Sequence, residues 1–152
     1  MIRVTIDEID NDLLNTSWCL NNAGYLTGTK NNVTNSLHRI ILERKLGYPI
    51  PEGYVCDHID RNKLNNIRNN LRLMPKYARN WNAGKPKTDM PTSKYKGVHY
   101  HKISKKYMTQ IKINNRCLYL GIYENEIIAA LVYDDVAREV YGDFANGNFT
   151  YY

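Results

Sequence analysis

The chain has 152 residues, 43% of them hydrophobic and 24% charged, with a formal net charge of +6. That balance excludes a disordered chain, and no apolar run approaches the roughly 20 residues that a bilayer-spanning helix needs. Three widely spaced cysteines (Cys19, Cys56, Cys117) without a C-x-x-C pair argue against a structural zinc site or a disulfide framework. The opening MIRVTIDEIDNDLL also lacks the basic-then-apolar order of a signal peptide, so an intracellular setting is expected.

In chain order, Ser17 to Leu26 and Val33 to Leu37 read as short strands around asparagine and glycine turns. Leu37 to Leu46 (LHRIILERKL) carries apolar residues at helical spacing and stops before Gly47. After Pro49 and Pro51 the sequence predicts a strand YVCDH, a polar loop, a second strand NLRLM, and a helix with Pro75 at its first position. The stretch AGKPKTDMPTSK has linker composition, which divides the chain into a domain 1–84, a linker 85–94 and a domain 95–152. Beyond the linker, YKGVHYHK, KYMTQIKI and RCLYLGIY alternate like strands, with Asn114-Asn115 as a hairpin turn. ENEIIAALVYDDVAREVYG then has helical periodicity, with Asn125 as its N-cap and Gly142 as its stop.

Charge divides the last third of the chain. From Lys94 to Leu120 there are seven basic residues and no acid, whereas Gly121 to Tyr152 holds six acids and one base, Arg138. A basic sheet backed by an acidic helix should leave the free face of the sheet positive, as an anion-binding surface requires.

The most informative stretch is Val55 to Met74. Asp57 and His58 stand side by side, and five asparagines (Asn62, Asn65, Asn66, Asn69, Asn70) follow between Ile59 and Asn70. Read structurally, it is a hairpin loop, because Asp and Asn bond their own backbone. Read chemically, a strand ending in a carboxylate and an imidazole can divide the work of phosphodiester hydrolysis: a base for water and a ligand for a divalent cation.

Leu37-His38-Arg39, Pro51-Glu52-Gly53, Val55 to Asp60, Leu64-Asn65-Asn66 and Asn70-Leu71-Arg72 occur in an order and spacing that resemble HNH endonucleases of the homing type carried by phages and introns. The resemblance implies a ββα-metal nuclease domain, a divalent metal (Mg²⁺ or Mn²⁺), duplex DNA as substrate and a phage-infected bacterial cytoplasm as setting. It also implies roles: His58 as general base, Asp57 as metal ligand, and Asn70 as the residue that fixes the loop and so orients the histidine. His38 is expected to be a buried helix residue. Counted from Asn70 without a gap, the family's second metal ligand falls on Arg79, which has no lone pair to offer; Asn80 is the expected substitute, with Asn82 behind it.

Tyr95 to Val98, Tyr119-Leu120-Gly121, Ala129 to Asp134 and Asn148-Phe149 are similar in order to the plant APETALA-two/ethylene-response-factor DNA-binding domain. This implies three strands on one helix, with the sheet in the major groove. Lys96, His99, His101, Lys105, Lys106, Lys112 and Arg116 are the expected DNA contacts, while Tyr107 and Tyr119 stay open between contact and core. The sequence therefore predicts an α+β protein: an HNH nuclease domain followed by a three-stranded antiparallel sheet packed on a helix. Two functions remain, a metal-dependent endonuclease and a DNA-binding protein whose nuclease unit is degenerate.

Overall fold

The computed structural model describes residues 3–30, 32–85 and 92–150. It contains two compact units, Met1–Lys76 and Tyr77–Tyr152.

In the first unit, β1 (Cys19–Leu20), β2 (Leu26–Lys30) and β3 (Val33–Ser36) form an antiparallel sheet in that order. The strand expected from Ser17 to Leu26 is thus cut short, because Asn21 Oδ1 accepts from the backbone of Ala23 and Tyr25 and closes a turn there. Helix α1 (Leu37–Leu46) ends as expected at Gly47, whose φ of 79° is the left-handed stop and whose N–H bonds the Glu43 carbonyl. β4 (Tyr54–His58) pairs antiparallel with β5 (Leu71–Pro75). Pro75 does not open a helix: it is the last residue of β5, opposite Tyr54, where its missing N–H removes nothing the ladder needs.

Leu13, Leu26, Leu37, Ile41, Leu42 and Leu71 form the core of this unit, with Cys56 and Leu73 packed against it. The sequence reading assigned no element to the N-terminal segment, yet Glu8–Asn15 is a 3₁₀ helix. Asp10, fully buried, holds it in place. Arg68 donates to both Asp10 oxygens at 2.8 and 2.9 Å, and Arg44 reaches one of them at 3.3 Å. The bond from Arg68 leads the causes that keep the Asp10 carboxyl below its ordinary pKa.

In the second unit, α2 (Arg79–Asn82) precedes β6 (Val98–His101), β7 (Lys106–Ile113) and β8 (Arg116–Tyr123), an antiparallel sheet in that order, and α3 (Glu126–Tyr141). Residues 86–91 of the expected linker lie outside the described residues; the segment before them groups with the second unit, where Trp81 stacks on Tyr141 at 4.6 Å. One face of the sheet packs on α3 through Val98, Ile111, Ala129, Ala130, Tyr133, Ala137 and Tyr141. Gly97 is obligatory at this seam: φ is +76°, and a Cβ there would sit 2.0 Å from the Tyr133 ring. Asn125 caps α3 by accepting from the backbone of Ile127 and Ile128. Asp134, buried, accepts from the backbone of Asn148 and Phe149, so the Asp134 and Asn148-Phe149 motifs close the fold.

Candidate active site

β4 carries Asp57 and His58 as its last two residues, and strand alternation turns them to opposite sides. Asp57 faces Arg72 across the ladder, and its Oδ2 accepts from Arg72 Nε at 2.9 Å. His58 lies opposite Leu71, on the side that Cys56 and Leu73 turn to the core. Both are buried, His58 to 4% exposure.

Three groups fix the His58 ring. Nε2 lies 2.9 Å from Asn66 Oδ1. Asn66 Nδ2 donates to the Lys63 carbonyl, so the amide oxygen is the atom turned to the histidine. His58 Nε2 therefore carries the hydrogen and Nδ1 the lone pair. Tyr25 and His38 supply the other two groups, their ring centroids 6.1 and 5.3 Å from that of His58 and 4.7 Å from each other. His38 is half-buried on α1, and burial, with the neighbouring His58 and Arg39, lowers its pKa to about 4. Cys56 is no competing nucleophile: burial and the adjacent Asp57 push its thiol up to about 12.

The asparagine loop holds this arrangement. Asn70 Nδ2 donates to Asp60 Oδ1 at 2.8 Å and to the Asn65 carbonyl at 2.7 Å, while its Oδ1 accepts from the Asp60 backbone. Burial raises the Asp60 pKa, but donors from Asn65, the Asn62 backbone and Asn70 outweigh it, and the net shift is downward. The N-terminal segment adds a clamp, with Asn66 N donating to the Thr5 carbonyl at 2.7 Å. Asn70 thus grips the loop, while Asn66 touches the imidazole. Sequence reading assigned no role to Asn66 or Tyr25; Asn66 stood in a family motif, whereas nothing local marks Tyr25.

Asn80 and Asn82 lie on α2 in the second unit, Asn80 exposed. Among the described residues no group of three or more His, Cys, Asp or Glu side chains could hold a metal. One carboxylate nevertheless suits Mg²⁺, which keeps several waters and is commonly bound by one or two carboxylates plus substrate phosphates. Asp57 is the carboxylate at the end of β4, and Arg72 holds its Oδ2.

The expected DNA contacts are dispersed. Lys96 Nζ donates to the carbonyls of Trp81, Ala83 and Asn146, so its charge is spent on holding the chain and not on an outside anion. His99, His101, Lys106 and Lys112 alternate onto the sheet face away from α3 together with Met108, Gln110 and Tyr119. Lys106 pairs with Glu124 at 3.2 Å, and His101 Nδ1 lies 2.9 Å from Ser104 Oγ. Lys105 sits in the β6–β7 turn with φ of 54°. Arg116 pairs with Ile113 and so belongs to the α3 side. Tyr107 packs in the core, whereas Tyr119 is 59% exposed.

A β-hairpin ending in Asp-His, with an asparagine-clasped loop and an upstream L-H-R helix, defines an HNH unit, and the HNH endonuclease family matches residues 36–79 of the chain. An uncharacterized HNH endonuclease of Acanthamoeba polyphaga mimivirus is 34% identical over 113 residues, 74% of this chain and 56% of its own length. Protein 3.8 of Escherichia phage T7 is 33% identical over 97 residues, 64% of this chain and 78% of its own length. The chain belongs to the HNH endonuclease family, and it spans little more than half of the mimivirus relative. No solved structure matches it. Among the described residues no helix is long and apolar enough to cross a membrane.

Proposed function

We propose that the chain is a metal-dependent DNA endonuclease of the homing type in which His58 activates the attacking water. The observation that carries this reading is the bond from His58 Nε2 to Asn66 Oδ1, which leaves Nδ1 as the basic nitrogen. Nδ1 takes the proton as water attacks phosphorus, and the positive charge that forms is met by the Asn66 oxygen at Nε2. Tyr25, His38 and Asn66 hold the ring in one orientation, so no reorganisation is needed at the moment of reaction. A divalent cation, when bound, neutralises charge on the leaving oxygen. Asp57 is its ligand, with Asn80 as the second and Asn82 behind it in the family register. Arg72 holds Asp57 at the strand end.

The second unit serves as the DNA anchor, an APETALA-two-type sheet meeting duplex DNA through His99, His101, Lys106 and Lys112 on its free face and Lys105 in the adjoining turn, with Lys96 bracing the scaffold and Arg116, on the α3 side, outside that face. Tethering two modest modules raises effective concentration without new contacts. A second reading draws on two observations. Arg79 stands where the family places a metal ligand, and Arg72 already occupies one Asp57 oxygen. On that reading the protein binds DNA without cutting it.

The test is incubation with supercoiled plasmid and Mg²⁺ or Mn²⁺. The proposal expects nicking or linearisation that EDTA abolishes. It also expects Asn80→Ala to raise the metal concentration needed more than Asn82→Ala does. Binding without cleavage at any metal concentration would establish the second reading.

A further inference from the structure

The turn that follows β4 holds one residue in a backbone conformation its side chain does not favour. Arg61 N donates to the His58 carbonyl at 2.9 Å, closing the turn, and Arg61 itself has a φ of 63°. That left-handed region suits glycine, and a long side chain adopts it at a cost. The turn is not free to relax, because Asp60 is bonded by the Asn62 backbone and by the Asn65 and Asn70 side chains. Glycine would meet the backbone requirement without strain, so the reason for an arginine at this position lies in its side chain. Of the five non-glycine residues with positive φ among the described residues, three are asparagines, whose short amides tolerate the region; the other two, Arg61 and Lys105, are exposed cations.

The Arg61 charge is also uncommitted. In α1 and the β4–β5 hairpin, Arg39 pairs with Glu43, Arg44 and Arg68 with Asp10, and Arg72 with Asp57, while the Lys45 and Lys63 ammonium groups donate to backbone carbonyls. Among the described residues the Arg61 guanidinium has no such partner, and the neighbouring Asp60 is already bonded at both oxygens. Three residues span at most about 10 Å even when extended, and the turn folds them closer, so Arg61 stands beside His58. A planar guanidinium with five donors matches the oxygens of a phosphodiester and can bind two of them at once.

We propose that Arg61 is a substrate-binding residue that holds a backbone phosphate of the DNA strand beside His58. The proposal rests on the reading that DNA is the substrate. A fixed turn presents the guanidinium at one place relative to the imidazole, so the contact sets the register of the strand on the site and carries no base preference.

The experiment measures fluorescence anisotropy of two labelled duplexes of unrelated sequence with the full chain in EDTA, over a range of salt. Arg61→Gly removes the side chain and suits the backbone, so the melting temperature should not fall. The same variant should weaken both duplexes by the same factor, about threefold or more at low salt, and lower the slope of log affinity against log salt by about 0.9. Arg61→Lys keeps the charge on the same backbone and should retain the slope. In Mg²⁺ the KM of Arg61→Gly for plasmid should rise by a similar factor, with kcat changed less than about twofold. Unchanged affinity and slope in Arg61→Gly, a loss confined to one of the two sequences, or an Arg61→Lys slope equal to that of Arg61→Gly would overturn the proposal. Arg61-dependent duplex binding by a protein that never cuts plasmid would leave this inference standing and remove the nuclease reading; plasmid cleavage by Arg61→Gly with the parent KM and salt slope would do the reverse.

Discussion

Two hairpins of this chain depend on asparagine, and they use it for opposite ends. The β7–β8 hairpin is closed by Asn114 and Asn115 at φ of 48° and 64°, where asparagine serves only because it tolerates the left-handed region. The β4–β5 hairpin is closed by twelve residues, Ile59 to Asn70, whose side chains bond the loop to itself. The short turn fixes register and leaves its neighbours exposed. The long loop costs more entropy to order, and it yields a histidine held on three sides. In one hairpin asparagine is a backbone conformation, and in the other it is a set of hydrogen bonds.

Substitution separates the two uses. The largest effect is expected from Asn70→Ala, which strips partners from the Asp60 carboxylate, the Asp60 N–H and the Asn65 carbonyl at once. Each group left unpaired costs roughly 1–3 kcal/mol, so thermal unfolding of the first unit should move down by several degrees and cleavage should be lost with it. Asn66→Ala should act on the chemistry instead. It removes the acceptor at His58 Nε2, and a fall in cleavage rate of about tenfold is expected with DNA affinity unchanged. Asn66→Asp, which keeps the acceptor, should recover part of that loss.

His38 gives the hairpin a pH signature. Its pKa is lowered from 6.5 to about 4 by burial, so the unfolded chain takes up a proton that the folded chain refuses. Stability from this group is complete above pH 6.5 and falls as pH drops towards 4, by roughly 2 kcal/mol at pH 4.5. Urea unfolding at pH 7.5 and 4.5 should show this loss in the parent chain and a smaller one in His38→Phe. At the small end, Asn115→Gly keeps a residue at home in the left-handed region, and stability should change by less than about 0.5 kcal/mol. A large loss there would mean that the short turn also works through its side chains.

What could be read in the sequence was local. Leu37 to Leu46 with Gly47, the Tyr54 to His58 strand, the Asn114-Asn115 turn and the Asn125-capped helix each follow from spacing and turn chemistry within a few residues. What escaped reading depends on partners far along the chain. The Glu8–Asn15 helix is held by Asp10 through Arg68, 58 residues away, and no periodicity announces that. Lys96 reads as a contact by its charge, but three carbonyls distant in sequence claim its ammonium. Pro75 carries the signal of a helix start and a strand end alike, and pairing with Tyr54 decided it. The Asp57-His58 pair stands out in the sequence because the two residues are adjacent; the rings that hold His58 come from β2's approach and α1, and only folding brings them together.

The central claim is that His58 is the base, and single-turnover cleavage of one DNA by the parent chain and by His58→Ala tests it most directly, with affinity measured on the same DNA in EDTA. The account predicts a rate lower by about 10²- to 10⁴-fold with affinity within about twofold of the parent. A His58→Ala variant that cuts at the parent rate, or one that stops cutting only because it no longer binds DNA, would contradict it.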